Sequence, residues 1–285
     1  MGGGTWTTSA YNTSVRSLGF DSAASICKAS VQEVYRSSRL DPMLNPYKVM
    51  RECCDSEEHP ATIPVILALD VTGSMGTAAT TCAGKLDDIM TTLYSKIKDV
   101  EFLMMGIGDL ACDDAPIQAS QFESDVRIFD QTSKIYFEGG GGGNAYESYT
   151  AAWHFGLNNT KLDCWKRGEK GIIITMGDEP LNPYLPGHGL KKVLGCGGQD
   201  IDTNTLYEEV TKKFDVYHIA ITDKESSYAY YEDRIKSTWG KLLGNHLLIG
   251  TSNDLPRLIS NIVTNSTTKN VVAENVVENT EGITW

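Results

Sequence analysis

The residues with the clearest chemical potential are Asp70-Val71-Thr72-Gly73-Ser74-Met75. A carboxylate and two hydroxyls stand at i, i+2 and i+4, on a turn that Gly73 permits. All three offer hard oxygen donors, which suit Mg²⁺ first and Mn²⁺ or Ca²⁺ after it, rather than a soft metal. Hydroxyls are weak ligands, so such a set needs a further carboxylate or water. Asp178, in Ile174-Thr175-Met176-Gly177-Asp178-Glu179, supplies that carboxylate, directly or through water. Two hydroxyls in the motif also mean few protein charges on the ion. That leaves a coordination position able to attract an acidic group from outside.

These residues need a scaffold that brings them to one edge. Ile63 to Leu69 is a continuous apolar run ending at Asp70, too short for a free-standing helix and suited to a strand covered on both faces. Leu86, Met90, Leu93 and Ile97 follow at helical spacing. The pattern then predicts strands at 101–107, 134–137, 171–176, 216–221 and 246–249. It predicts helices at 145–155, 204–214, 230–243 and 254–263, with five glycines at 139–143 before the first of these. Alternating strands and helices imply parallel crossovers and an open α/β sheet, in which ligands gather at the carboxyl ends of strands. Asp70, Asp109 and Asp178 each fall at or just past such an end.

At this point the chain resembles the von Willebrand factor A-type (VWA) domains. Their metal-ion-dependent adhesion site carries Asp-x-Ser-x-Ser after the first strand, a Thr in a second loop and an Asp after a later strand. Asp70, Thr72 and Ser74 match the first loop, with Thr in place of the first Ser, and Asp178 matches the third. The resemblance covers roughly residues 61–265 and implies a Rossmann-like VWA fold, a bound divalent cation and a protein partner that offers an acidic group. The extended pattern His59-Pro60 through Gly76, with Gly139–Gly143, Asn144 and Glu147-Ser148-Tyr149, is similar to a bacterial and phage VWA group. One departure stands out: the second-loop Thr aligns with Gly142, Gly143 or Asn144. Asn144, Glu147 and Ser148 are the substitutes at hand. Asp109, with Asp113 and Asp114, and Glu179 are additional candidates around the site, or turn-capping and solvated acids.

Composition narrows the classes. At 285 residues, 41% hydrophobic and 22% charged, the chain reads as globular. Residues 1–60 are Ser/Thr/Tyr/Asn-rich, broken by Pro42, Pro46 and Pro60, and too poor in apolar residues for a core of their own. The expected division is an N-terminal arm (1–60), the α/β domain (61–265) and a polar tail (266–285). A formal charge of −12 argues against nucleic-acid binding. No stretch reaches the ~18 apolar residues of a membrane span. The start lacks signal-peptide features, so a cytoplasmic chain is expected, or a virion-associated one if phage-encoded. Seven irregularly spaced cysteines without a CxxC pair fit free thiols rather than zinc ligands.

Enzyme readings find less support. There is no P-loop ending after the glycines, no Gly-x-Ser-x-Gly elbow, and Thr72 stands where a DxDxT phosphatase needs an acid. His218 and His246 sit in apolar strands as core histidines, and His188 is the one histidine in a Gly/Pro-rich excursion. Two alternatives to a binding module remain at this stage. One is a metal-assisted hydrolase or phosphoryl-transfer enzyme with Glu147 or Glu179 as base. The other is an assembly component with a purely structural site. The oligomeric state is not legible.

Overall fold

The computed structural model describes residues 4–139 and 146–278, with side chains to residue 268 in the last helix. Six strands form the central sheet: β1 (Ile63–Asp70), β2 (Val100–Ile107), β3 (Ile117–Ala119), β4 (Gly171–Gly177), β5 (Phe214–Ile221) and β6 (Leu247–Gly250). Their order is β6-β5-β4-β1-β2-β3, with every pair parallel except the antiparallel edge pair β2–β3. Helices lie on both faces, which is the Rossmann-like α/β architecture expected. The order reverses direction at β1, so the carboxyl ends of β1 and β4 lie side by side at the switch point.

Both faces of β1 are buried, and its alternate residues enter different layers. Val65, Leu67 and Leu69 pack with α1 (Gly76–Gly84), α2 (Leu86–Tyr94) and α3 (Arg127–Thr132). Ile66 and Ala68 pack with α4 (Ala151–Asn158), α5 (Gly187–Leu194), α6 (Thr203–Val210) and α7 (Tyr228–Leu243). The last helix, α8 (Leu255–Glu278), returns to the first layer through Leu255, Ile259, Ile262 and Val263.

Residues of the first 60 share the first layer. Trp6, Tyr11, Val15, Ile26, Val34, Tyr35 and Leu44 are buried in it. Tyr11 donates its phenol to the Ala83 and Gly84 carbonyls (3.0 and 3.2 Å), and Tyr35 donates to Ala79 O (2.9 Å). These bonds satisfy carbonyls of a small-residue helix buried along most of its length. That helix follows the Asp70 loop directly, and the arm's bonds fall on its middle and far end.

Four elements differ from the sequence reading. Residues 134–137 form no central strand. Gln118 instead clamps Tyr136 with its side-chain amide, donating to Tyr136 O (2.7 Å) and accepting from Tyr136 N (2.8 Å). The edge strand is β3, three residues long after Pro116 and too brief to show a period. The helix expected from 145 begins at Ala151, because residues 146–150 are drawn out by tertiary bonds, among them Ser148 N to Gly108 O (3.2 Å). And α8 runs past Val263 to Glu278. Buried Ser266 continues its inward stripe, bonded to the Tyr217 phenol (2.9 Å), where an apolar pattern stops.

Candidate functional site

Asp70 ends β1 fully buried. Its Oδ1 accepts from the Thr72 N–H (2.9 Å) and the Thr72 hydroxyl (2.5 Å), the local turn that short acidic side chains favour. Its Oδ2 accepts from the Tyr149 phenol (2.6 Å). Gly73 suits a close approach here. A Cβ on it would stand 3.1 Å from the Gly139 carbonyl, which crosses the loop, while Glu138 N donates to Val71 O (3.1 Å).

Asp178, just past β4, is likewise fully buried. Its Oδ2 accepts from Ser227 N (2.5 Å), the residue before α7, and its Oδ1 has no hydrogen-bond partner among the described residues. The half-buried Ser74 hydroxyl faces Asp178 and favours its ionised form, without the geometry of a formed hydrogen bond. Asp70, Thr72, Ser74 and Asp178 thus gather at one place on the sheet's carboxyl edge.

Two further carboxylates join them. Glu147 is 3% exposed and its Oε2 has no partner among the described residues. Glu179 also carries a buried Oε2 with no partner among the described residues. The electrostatics follow from burial and crowding. Burial, then Asp178's charge, raises Asp70 to about 7 against the pull of Thr72 and Tyr149. Burial raises Asp178, opposed by the Ser227 N–H and Ser74. Burial, then the charges of Asp70, Glu179, Asp113 and Asp109, pushes Glu147 to about 11. Burial and Asp178 push Glu179 to about 7, with Arg234 opposing. The site therefore holds more carboxyl groups than the two-hydroxyl motif implies.

The remaining candidates divide. Ser148 is buried; its hydroxyl accepts from Leu110 N (3.0 Å) and donates to Asp109 Oδ1 (3.5 Å). Asp109 also accepts from Ala111 N (2.9 Å) and the Cys112 thiol (2.9 Å) in its own turn. Asn144 and Gly140–Gly143 lie outside the described residues. His188 is exposed on α5. His218 is buried against Trp239 (3.9 Å, rings at 4°) and bonded through Nδ1 to Thr175 (2.8 Å); burial pushes it down to about 3. All seven cysteines are free.

Sequence reasoning missed Tyr149, whose phenol fixes Asp70. Its ring fits because Gly177 has no side chain: a Cβ there would meet the phenol oxygen at 2.2 Å. The sequence pattern places Tyr149 within the helix expected at 145–155. Ser227, a backbone donor, leaves no trace in residue type.

A divalent cation fits this donor set. Two buried carboxylates and two hydroxyls converge, and among the described residues buried carboxylate oxygens stand without donors, an arrangement that a proton or a cation compensates. Among the described residues no three acidic, imidazole or thiolate groups form a ligand cluster.

No family model matches the chain, and no curated protein matches it. Among solved structures it is similar to the pilus adhesin SpaC from Lactobacillus rhamnosus GG in its open conformation (TM-score 0.49, 10% identity), over 77% of this chain and 31% of that one. It is also similar to proximal thread matrix protein 1 from the mussel byssus (TM-score 0.45, 15% identity), over 75% of this chain and 49% of that one. A third likeness is to the vWF domain of the type V pili tip protein Mfa5 from Porphyromonas gingivalis (TM-score 0.43, 12% identity), over 74% of this chain and 96% of that one. The chain thus spans less than half the length of SpaC and of the mussel protein.

Proposed function

We propose that this chain is a VWA-type, metal-ion-dependent protein-binding module, non-enzymatic and used for adhesion or scaffolding. The carrying observation is the pair of buried carboxylates at the strand switch point: Asp70 bonded to the Thr72 hydroxyl, and Asp178, faced by the Ser74 hydroxyl, with its Oδ1 unpartnered among the described residues. In this reading Asp70, Thr72, Ser74 and Asp178 hold the ion, Mg²⁺ first and Mn²⁺ or Ca²⁺ as alternatives. When bound, the cation supplies a coordination position for an acidic group on a partner protein. Tyr149 holds Asp70 in place, and the Ser227 N–H holds Asp178. Glu147, which burial and crowding keep protonated through neutral pH, adds no charge while no cation is present.

No described helix is long and apolar enough to cross a membrane. The test is capture of partners on immobilised protein with Mg²⁺ and with EDTA, comparing wild type with Asp70→Ala. Capture that survives both EDTA and the substitution sinks the reading.

A second reading has Glu179 as a general base: its buried Oε2 has no partner among the described residues, and burial and Asp178 raise its carboxyl toward neutrality. Metal-dependent hydrolysis of a phosphoester that disappears in Asp70→Ala and in Glu179→Gln would make the chain an enzyme.

A further inference from the structure

Helix α7 begins at the site, because Ser227, which precedes it, donates its N–H to Asp178. One face of the helix leads away from there. Tyr231, Arg234, Thr238 and Lys241 fall at i, i+3, i+7 and i+10, which places them on a single stripe. The Arg234 guanidinium lies over the Tyr146 ring (5.0 Å) and the Tyr231 ring (5.4 Å). Tyr231 in turn meets Tyr230 edge-on (4.7 Å, 83°), and Tyr230 is 84% exposed. Stacking fixes the guanidinium plane and leaves its N–H edge for a planar anion. Further along, Tyr146, Thr238 and Lys241 border an open cleft of about 380 Å³.

Neither Arg234 nor Lys241 forms an ion pair among the described residues, whereas Lys236 on the same helix is paired with Glu232 (2.5 Å). Two cations outside ion pairs thus stand in line with a tyrosine cluster, and the charge of Arg234 also acts on Glu179 at the site's edge. Exposed Tyr and Arg are the side chains that carry most binding energy at protein interfaces.

We infer that this stripe is the docking track for an extended, acidic segment of a partner protein whose carboxylates recur about every third residue. The inference rests on the metal-site reading for its first contact only. Ser227 to Arg234 and Arg234 to Lys241 are both seven-residue steps, each ~10 Å of helix. An extended chain covers ~10 Å in about three residues. The first carboxylate meets the cation site, the second Arg234 and the third Lys241, while the tyrosines pack on the intervening backbone.

The probes are two fluorescent peptides of equal charge, Ser-Asp-Ser-Ser-Asp-Ser-Ser-Asp-Ser and an isomer with its three Asp residues adjacent. Binding is read by anisotropy in Mg²⁺ and in EDTA. The spaced peptide should bind more tightly. Arg234→Ala should weaken it roughly tenfold, as loss of a stacked, charge-assisted contact does. Lys241→Ala should weaken it roughly threefold, and Lys236→Ala should change nothing. Equal affinity for the two peptides, or an Arg234→Ala/Lys241→Ala double variant that binds like wild type, overturns the track. If the spaced peptide binds equally in Mg²⁺ and EDTA but loses affinity in the double variant, the track stands and the metal reading falls. If Mg²⁺ stabilises the wild type thermally yet neither peptide binds, the metal reading stands and the track falls.

Discussion

Replacing Tyr149 with Phe isolates one bond of the site. The ring keeps its place against His218 (5.3 Å) and Trp239 (5.8 Å), because only the phenol oxygen is removed. Two hydrogen bonds go with it: the one to Asp70 Oδ2 (2.6 Å) and the weaker one that Glu179 N donates to the phenol oxygen (3.3 Å). Asp70 is fully buried, so no water replaces the lost donor without rearrangement. A buried acceptor left without its partner costs about 1–3 kcal/mol. At roughly 2–4 °C per kcal/mol for a chain of this size, the melting temperature should fall by about 2–12 °C in EDTA. Asp70 is then also less well oriented, so the stabilisation gained on adding Mg²⁺ should shrink. Thermal unfolding followed by circular dichroism measures both effects. A Tyr149→Phe variant that melts with wild type in EDTA and gains as much from Mg²⁺ would refute this account of how Asp70 is held.

Proton linkage gives a second expectation. Asp70 and Glu179 sit at about 7 in the folded chain, above ordinary unfolded values near 4, so the native state binds more protons between those limits. Their contribution to stability is present below about pH 4 and is lost as pH rises through about 7. A cation replaces those protons, so the Mg²⁺-induced rise in melting temperature should be larger at about pH 8 than at about pH 5; an equal or smaller rise at the higher pH contradicts this. Gly177→Ala should destabilise by about 1–3 kcal/mol, because the new methyl must displace the buried Tyr149 ring, and an unchanged urea midpoint would show that the ring does not pack there. Tyr35→Phe, which loses the bond to Ala79 O, should cost about 1 kcal/mol by the same denaturation assay if the arm braces α1, and nothing if it does not.

Where local pattern and tertiary structure agree, the fold was legible. The apolar runs ending at Asp70 and Gly177 are strands buried on both faces, and a strand of that kind needs no knowledge of its neighbours to be recognised. Asp70 and Asp178 were found because strand ends and carboxylates are both visible in a sequence. Their proximity followed from the open-sheet rule that places ligands at strand ends. Tyr149 escaped because its task depends on a gap left by Gly177, 28 positions later, and no pattern links the two. Glu147 was seen as a candidate, but its burial with an unpartnered oxygen is a property of the packed loop. Arg234 drew no notice because an arginine on an amphipathic helix looks like solvated surface until Tyr146, far away in sequence, is found beneath it. Gln118 and Ser266 make the same point from the polar side. Each satisfies buried partners with a side chain where an apolar pattern would be expected.

The central claim is that Asp70, Thr72, Ser74 and Asp178 hold one divalent cation. Its most direct test is titration of the metal-free protein with Mn²⁺, followed by electron paramagnetic resonance of the free ion. Wild type should bind one Mn²⁺ that Mg²⁺ displaces, while Asp70→Ala and Asp178→Ala, each confirmed folded by circular dichroism, should lose that site. Wild type that binds no Mn²⁺, or folded variants that retain it with unchanged affinity, would contradict the claim.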